Sequence, residues 1–123
     1  MSIKGIGVDI EQVDRIAHLI QTYDDEILKM VFTPDEIEQH KVDHSQLRYA
    51  ICFSAKEAVS KALGTGFAEI DWNEIEIHIN NHHLIIYLHN RALHIAKEKQ
   101  IKKILGSWSV FNQHVLVQVI AEG

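Results

Sequence analysis

The stretch 44–63, HSQLRYAICFSAKEAVSKAL, constrains this chain more than any other. Leu47, Ile51, Ala55, Ala58, Val59 and Ala62 recur there at helical spacing. At about 1.5 Å per residue such a helix spans about 30 Å, the width of a small domain. The chain has 123 residues, a length that fits one domain over 1–123. A chain of this size buries roughly two-thirds of its surface on folding, so it needs no metal or disulfide staple. The remaining elements are therefore expected to pack around one long central helix.

Those elements are short. Residues 3–9, IKGIGVD, read as a strand, and 12–22 and 34–41 as helices. In TPDE, Thr33 suits a helix cap, with Pro34 at the first helical position and Glu36 three residues after the cap. Residues 74–79 and 84–88 read as paired strands around Asn80-Asn81-His82-His83. Residues 90–100 form an amphipathic helix, and strands at 104–110 and 114–121 meet at a turn near Asn112-Gln113. The pattern predicts an α+β fold with mostly antiparallel pairing.

Composition excludes several classes. The formal charge of −5 argues against a general nucleic-acid binder. No apolar run reaches the roughly 18–20 residues of a membrane span, and Asp9 interrupts the first apolar stretch, so no signal peptide is expected. Cys52 is the only cysteine, which rules out an internal disulfide and fits a reducing cytoplasm.

The end of the long helix carries the chemistry. Glu57 and Lys61 are i, i+4 neighbours, a spacing that by itself suits a solvated ion pair. Gly64-Thr65-Gly66 follows directly. One glycine suffices to end a helix by adopting positive φ; a second suggests close backbone approach by something else. The backbone N–H groups and the Thr65 hydroxyl are expected to be phosphate donors. The C-terminal helix dipole repels anions, so extra positive charge is required. Lys61 supplies one unit and a divalent cation on Glu57 would supply two. Magnesium is usually held by one or two carboxylates. Asp9 is the candidate second carboxylate; the alternative is that Asp9 caps the following helix.

GIGVDIEQVDRI (5–16) and FSAKEAVSKALGTG (53–66) together resemble the two signatures of the holo-[acyl-carrier-protein] synthases, small 4'-phosphopantetheinyl transferases. VFTPDEIE (31–38) resembles a further block. The resemblance implies the 4'-phosphopantetheinyl transferase fold and transfer of phosphopantetheine from coenzyme A to a serine of an acyl carrier protein. It implies Mg2+ on Asp9 and Glu57, Lys61 on the phosphates, and Gly64, Thr65 and Gly66 against coenzyme A. It further implies a homotrimer with sites between subunits, and carrier docking on a first helix that here begins with Arg15. Lys29 and His18 would assist that docking, and Asp24, Asp25 and Glu26 oppose it. Arg48, one turn before Cys52, faces coenzyme A, the next subunit or simply solvent.

The chain departs from that pattern in three places. Cys52 stands where an arginine is usual. Asn80-Asn81-His82-His83 replaces a Gly-Lys-Pro turn, and Ser107-Trp108-Ser109-Val110 lacks a late histidine. Two other readings therefore stay open: a non-catalytic module that binds coenzyme A or a carrier, and an acidic structural domain in which Asp9 and Glu57 never meet. The remaining histidines show no metal-ligand spacing. His40 and His44 are i, i+4, but Asp43 and Ser45 mark a helix boundary there. His78, His89, His94 and His114 follow no coherent pattern. Cys52 reads as a packed thiol, and Trp72 and Trp108 as core or subunit-interface residues.

Overall fold

The computed structural model describes residues 1–43 and 45–123; His44, and with it the His40/His44 pair, lies outside the described residues. Strand β1 (Ile3–Gln12) leads into helices α1 (Val13–Gln21), α2 (Asp25–Val31), α3 (Pro34–Val42) and α4 (Gln46–Leu63). Strands β2 (Ile75–Asn80) and β3 (His83–Leu88) form a hairpin, α5 (Asn90–Glu98) follows, and β4 (Lys103–Phe111) and β5 (His114–Glu122) close the chain. All pairings are antiparallel, in the order β1-β5-β4-β3-β2. This is the expected α+β architecture with one long helix against a sheet.

Local rules account for most boundaries. The Thr33 hydroxyl accepts from the Glu36 N–H and the Glu36 carboxylate accepts from the Thr33 N–H, so the anticipated capping box at α3 forms. Asn112 and Gln113 both adopt positive φ, 47° and 61°, as a tight hairpin turn demands. Two expectations fail. β1 runs three residues past Asp9, because pairing with β5 continues to Gln12↔His114. Asp9 is therefore a mid-strand residue and caps nothing; the residue before α1 is Gln12. Helix α2 was not foreseen: it is short, and its clearest local signal is the Asp24 side chain accepting from the Ile27 N–H.

The core lies between α4 and the inner face of the sheet. On α4, Ala50, Ala55, Ala58, Val59 and Leu63 have no exposed surface, and Val115, Val117, Val119 and Ala121 of β5 face them fully buried. The small α4 residues let the strand come close. A Cβ on Gly5 would stand 2.0 Å from the Ala62 carbonyl oxygen, and one on Gly7 would stand 1.8 Å from that of Ala58. Strand and helix run antiparallel here. Two strand residues advance about 6.6 Å and four helix residues about 6 Å, so Gly5 meets Ala62, Gly7 meets Ala58 and Asp9 meets Ser54 in step.

A buried polar hub ties α3 and α4 to β2. The Glu36 carboxylate accepts from Lys56 Nζ at 2.8 Å, from the Ile77 N–H at 2.7 Å and from Cys52 Sγ at 3.2 Å. Lys56 also donates to the Trp72 and Ile75 carbonyl oxygens. Its charge, fully inside the protein, is thus paired and hydrogen-bonded. Trp72 stacks on Phe67 and Phe53 over this hub, in agreement with a core role.

Gly7→Ala is expected to lower stability by about 3 kcal/mol or more, since backbone faces backbone and nothing flexible can yield. Gly66→Ala, at φ 54° in open space, should lower it by about 1 kcal/mol. Urea denaturation of the two variants measures the difference.

Candidate active site

The register of β1 on α4 delivers Asp9 to the polar face of the helix. Asp9 Oδ2 accepts from Ser54 Oγ at 2.8 Å, and Asp9 Oδ1 accepts from Lys61 Nζ at 3.2 Å. Lys61 also donates to the Val8 carbonyl oxygen at 2.8 Å. Glu57 projects from the turn between Ser54 and Lys61, within electrostatic reach of Asp9 and Glu11. Asp9 and Glu57, 48 positions apart in the chain, thus lie within electrostatic reach of one another beside Lys61.

Two members of the cluster were not identified in the sequence. Ser54 orients the Asp9 carboxylate. Glu11 lies two residues beyond Asp9 on the same face of β1, with its side chain against Asp9 and bound by Arg15 at 2.8 Å. The period of two would have found Glu11 had the strand been carried past Asp9.

Burial raises the Glu57 carboxyl above the usual carboxylate range, the Asp9 charge adds to this, and Lys61 opposes it. Burial likewise raises Glu11, against the pull of Arg15, with Asp9 again adding. Groups raised in the folded state favour folding below their ordinary range, and that contribution is lost as pH rises through the folded value. The carboxyl groups of Asp9, Glu11 and Glu57 thus concentrate like charge beside Lys61. Their donor set is oxygen only, which suits a hard divalent cation such as Mg2+, and such a cation would relieve the repulsion.

The Gly-Thr-Gly turn differs from expectation in its donors. The N–H groups of Thr65 and Gly66 both bond the Ser60 carbonyl oxygen at 3.2 Å, and the Thr65 hydroxyl donates to the Gly66 carbonyl oxygen at 2.8 Å. The free carbonyl groups at a helix C-terminus take these donors first. What the turn offers outward is open surface. Gly64 has φ 80° as the helix stop, and a side chain at Gly66 would touch no atom of this chain within 4 Å.

Arg48 lies elsewhere. It bonds Asp43 at 3.2 Å and lines a small pocket with Glu36, His40 and Cys52. Arg15 is 70% exposed at its side chain while bound to Glu11. Asp24, counted above as opposing docking, serves to cap α2. Cys52 is a packed thiol as expected: burial, and then the Glu36 charge, push it well above the usual thiol range. No surface group remains at that position.

The family model described as the 4'-phosphopantetheinyl transferase superfamily matches residues 5–117. A holo-[acyl-carrier-protein] synthase of Alkaliphilus metalliredigens is 38% identical over 122 residues, covering 97% of this chain and 98% of that protein. The crystal structure of the holo-[acyl-carrier-protein] synthase from Neisseria meningitidis superposes with a TM-score of 0.86 at 28% identity, covering 99% of this chain and 100% of that one. The Helicobacter pylori synthase in complex with coenzyme A superposes with a TM-score of 0.78 at 25% identity, covering 95% and 99%. On the matched family model and the near-complete overlap with these relatives, the chain belongs to the 4'-phosphopantetheinyl transferase superfamily.

Proposed function

We propose that residues 1–123 act as one cytoplasmic holo-[acyl-carrier-protein] synthase domain whose reaction centre is the Asp9–Glu57–Lys61 cluster. The chain transfers the 4'-phosphopantetheine group of coenzyme A to a serine of an acyl carrier protein and releases adenosine 3',5'-bisphosphate. The observation that carries the assignment of residues is the bond from Lys61 to Asp9 across the β1–α4 contact, with Glu57 one turn before Lys61. The lone buried thiol supports the cytoplasmic reading. No described helix is long and apolar enough to cross a membrane.

Asp9 and Glu57 would hold Mg2+, which when bound supplies charge neutralisation and orientation at the diphosphate. Lys61 has half its side chain exposed, so its ammonium can turn from Asp9 to a phosphate oxygen and stabilise the leaving group. Glu11, the carboxylate of the cluster not assigned to the cation, is the acceptor for the serine proton. Gly64 and Gly66 leave the backbone uncovered on either side of Thr65, a surface where coenzyme A can lie. Arg48 serves a neighbouring subunit or the periphery of the coenzyme site. Arg15 supplies an exposed positive charge for an acidic carrier.

A homotrimer accounts for the outer face of the sheet. Ile6, Val8 and Ile10 of β1, Leu105 of β4 and Ile120 of β5 stand exposed there, and Ile120 is the register partner of both Ile6 and Leu105. A hollow of about 530 Å³ lies among Ile6, Val8, Leu105 and Ile120. Contiguous apolar surface of this kind marks an association site.

Asp9→Ala and Glu57→Ala should each reduce kcat/KM by about a hundredfold or more, on the order of 3 kcal/mol of transition-state stabilisation. The exposed Asp14→Ala should be near neutral. Carrier mass shift with coenzyme A and Mg2+ reads the activity; equal activity in EDTA would refute the metal assignment. In light scattering, wild type should have the mass of three chains and Ile120→Glu that of one. A monomeric wild type at micromolar concentration would contradict the trimer.

A further inference from the structure

We propose a second metal site, built on α3 and β2 and not on the β1–α4 contact, in which Asp35, Glu76 and His78 bind one zinc-like divalent cation and His89 orients Glu76. Among the described residues, these three bring their ligand atoms within 4.8 Å of one another. The histidines showed no ligand spacing in the sequence because the fold, and not a local motif, assembles them. Glu76 and His78 share a face of β2 at i, i+2, Asp35 comes from the first turn of α3, and His89 follows β3.

The framework is fixed before any ion arrives. The Ile77 N–H donates to Glu36, tying β2 to the start of α3. The His89 N–H donates to the Glu74 carbonyl oxygen at 2.8 Å, holding the end of the hairpin. Glu76 is only 8% exposed. His78 Nε2 meets one of its oxygens at 2.5 Å and His89 Nε2 meets the other at 3.1 Å. The His78 ring is further set by an edge contact to Tyr87.

The donors select the cation. Imidazole nitrogen with carboxylate oxygen suits zinc, whereas magnesium takes oxygen and water. Ligand atoms at about 2.0–2.1 Å from a tetrahedral ion stand about 3.3 Å apart. His78 and Glu76 therefore need to separate by less than about 1 Å, releasing the proton they share. Asp35 is exposed and His78 partly so, which leaves an entry path and a fourth position for water. Holding Glu76 through its second oxygen is the outer-shell role of His89.

The test is zinc titration of the Asp9→Ala/Glu57→Ala double variant, in which the first cluster is silenced, against a chromophoric chelator. One equivalent should bind, and Co2+ should give visible d–d bands of a nitrogen-containing site. In that background His78→Gln should abolish binding, Asp35→Asn should weaken it strongly, and His89→Gln should weaken it about 10–100-fold. His94→Gln, which removes an exposed pair with Glu98 on α5, should change nothing. Circular dichroism checks each variant; should His78→Gln unfold, Asp35→Asn, on the exposed first turn of α3, decides the matter. Absence of stoichiometric zinc binding, or binding indifferent to His78 and Asp35, overturns the proposal.

Discussion

The approach of β1 to α4 is the contact on which the rest of the molecule depends. Strand and helix are usually kept apart by side chains. Here Gly5 and Gly7 on one side, and Ala58 and Ala62 on the other, bring backbone against backbone. The match of two strand residues to four helix residues sets the register. Once the glycines are seated, Asp9 has no choice of neighbours: it falls beside Ser54 and Lys61. A side chain at either glycine would lift the strand and part Asp9 from Ser54 and Lys61.

That contact also explains the electrostatics. A carboxylate in mid-strand, with Glu11 next to it on the same face, meets Glu57 from the helix. Burial and mutual repulsion raise Glu57 and Glu11, and only Lys61 and Arg15 offset the charge. Folding alone thus leaves an excess of negative charge in one place. An oxygen-only cluster of this sign is complemented by a hard divalent cation. The buried Glu36–Lys56 pair behaves differently: it is matched one to one and closed off by backbone donors and acceptors. Two acid–base pairings meet on one helix: the buried one is structural, and the open one is the centre of the proposed reaction.

What could be read in the sequence was local. The Thr33 capping box, the Asn112-Gln113 turn and the extent of α4 follow from short-range rules, and the structure has them. Asp9, Glu57 and Lys61 were singled out from their spacing and from two motifs, and the approach of Asp9 to Lys61 depends on the glycine spacing that the first motif contains. Non-local features escaped. β1 outlasts its apolar pattern because β5 continues to pair with it, which hid Glu11. The donors of Thr65 and Gly66 turn inward because a helix end needs them. His78, His89 and Asp35 gather around Glu76 only when three separate elements pack, so no spacing along the chain announces them.

The central claim is that Asp9 and Glu57 share one ion beside Lys61. The most direct measurement is anomalous scattering from crystals grown with coenzyme A and Mn2+ in place of Mg2+. The account predicts a manganese peak within about 2.5 Å of an oxygen of both carboxylates, with the diphosphate on its open side towards Lys61. A nucleotide bound with no peak there, or a peak touching neither acid, would contradict it.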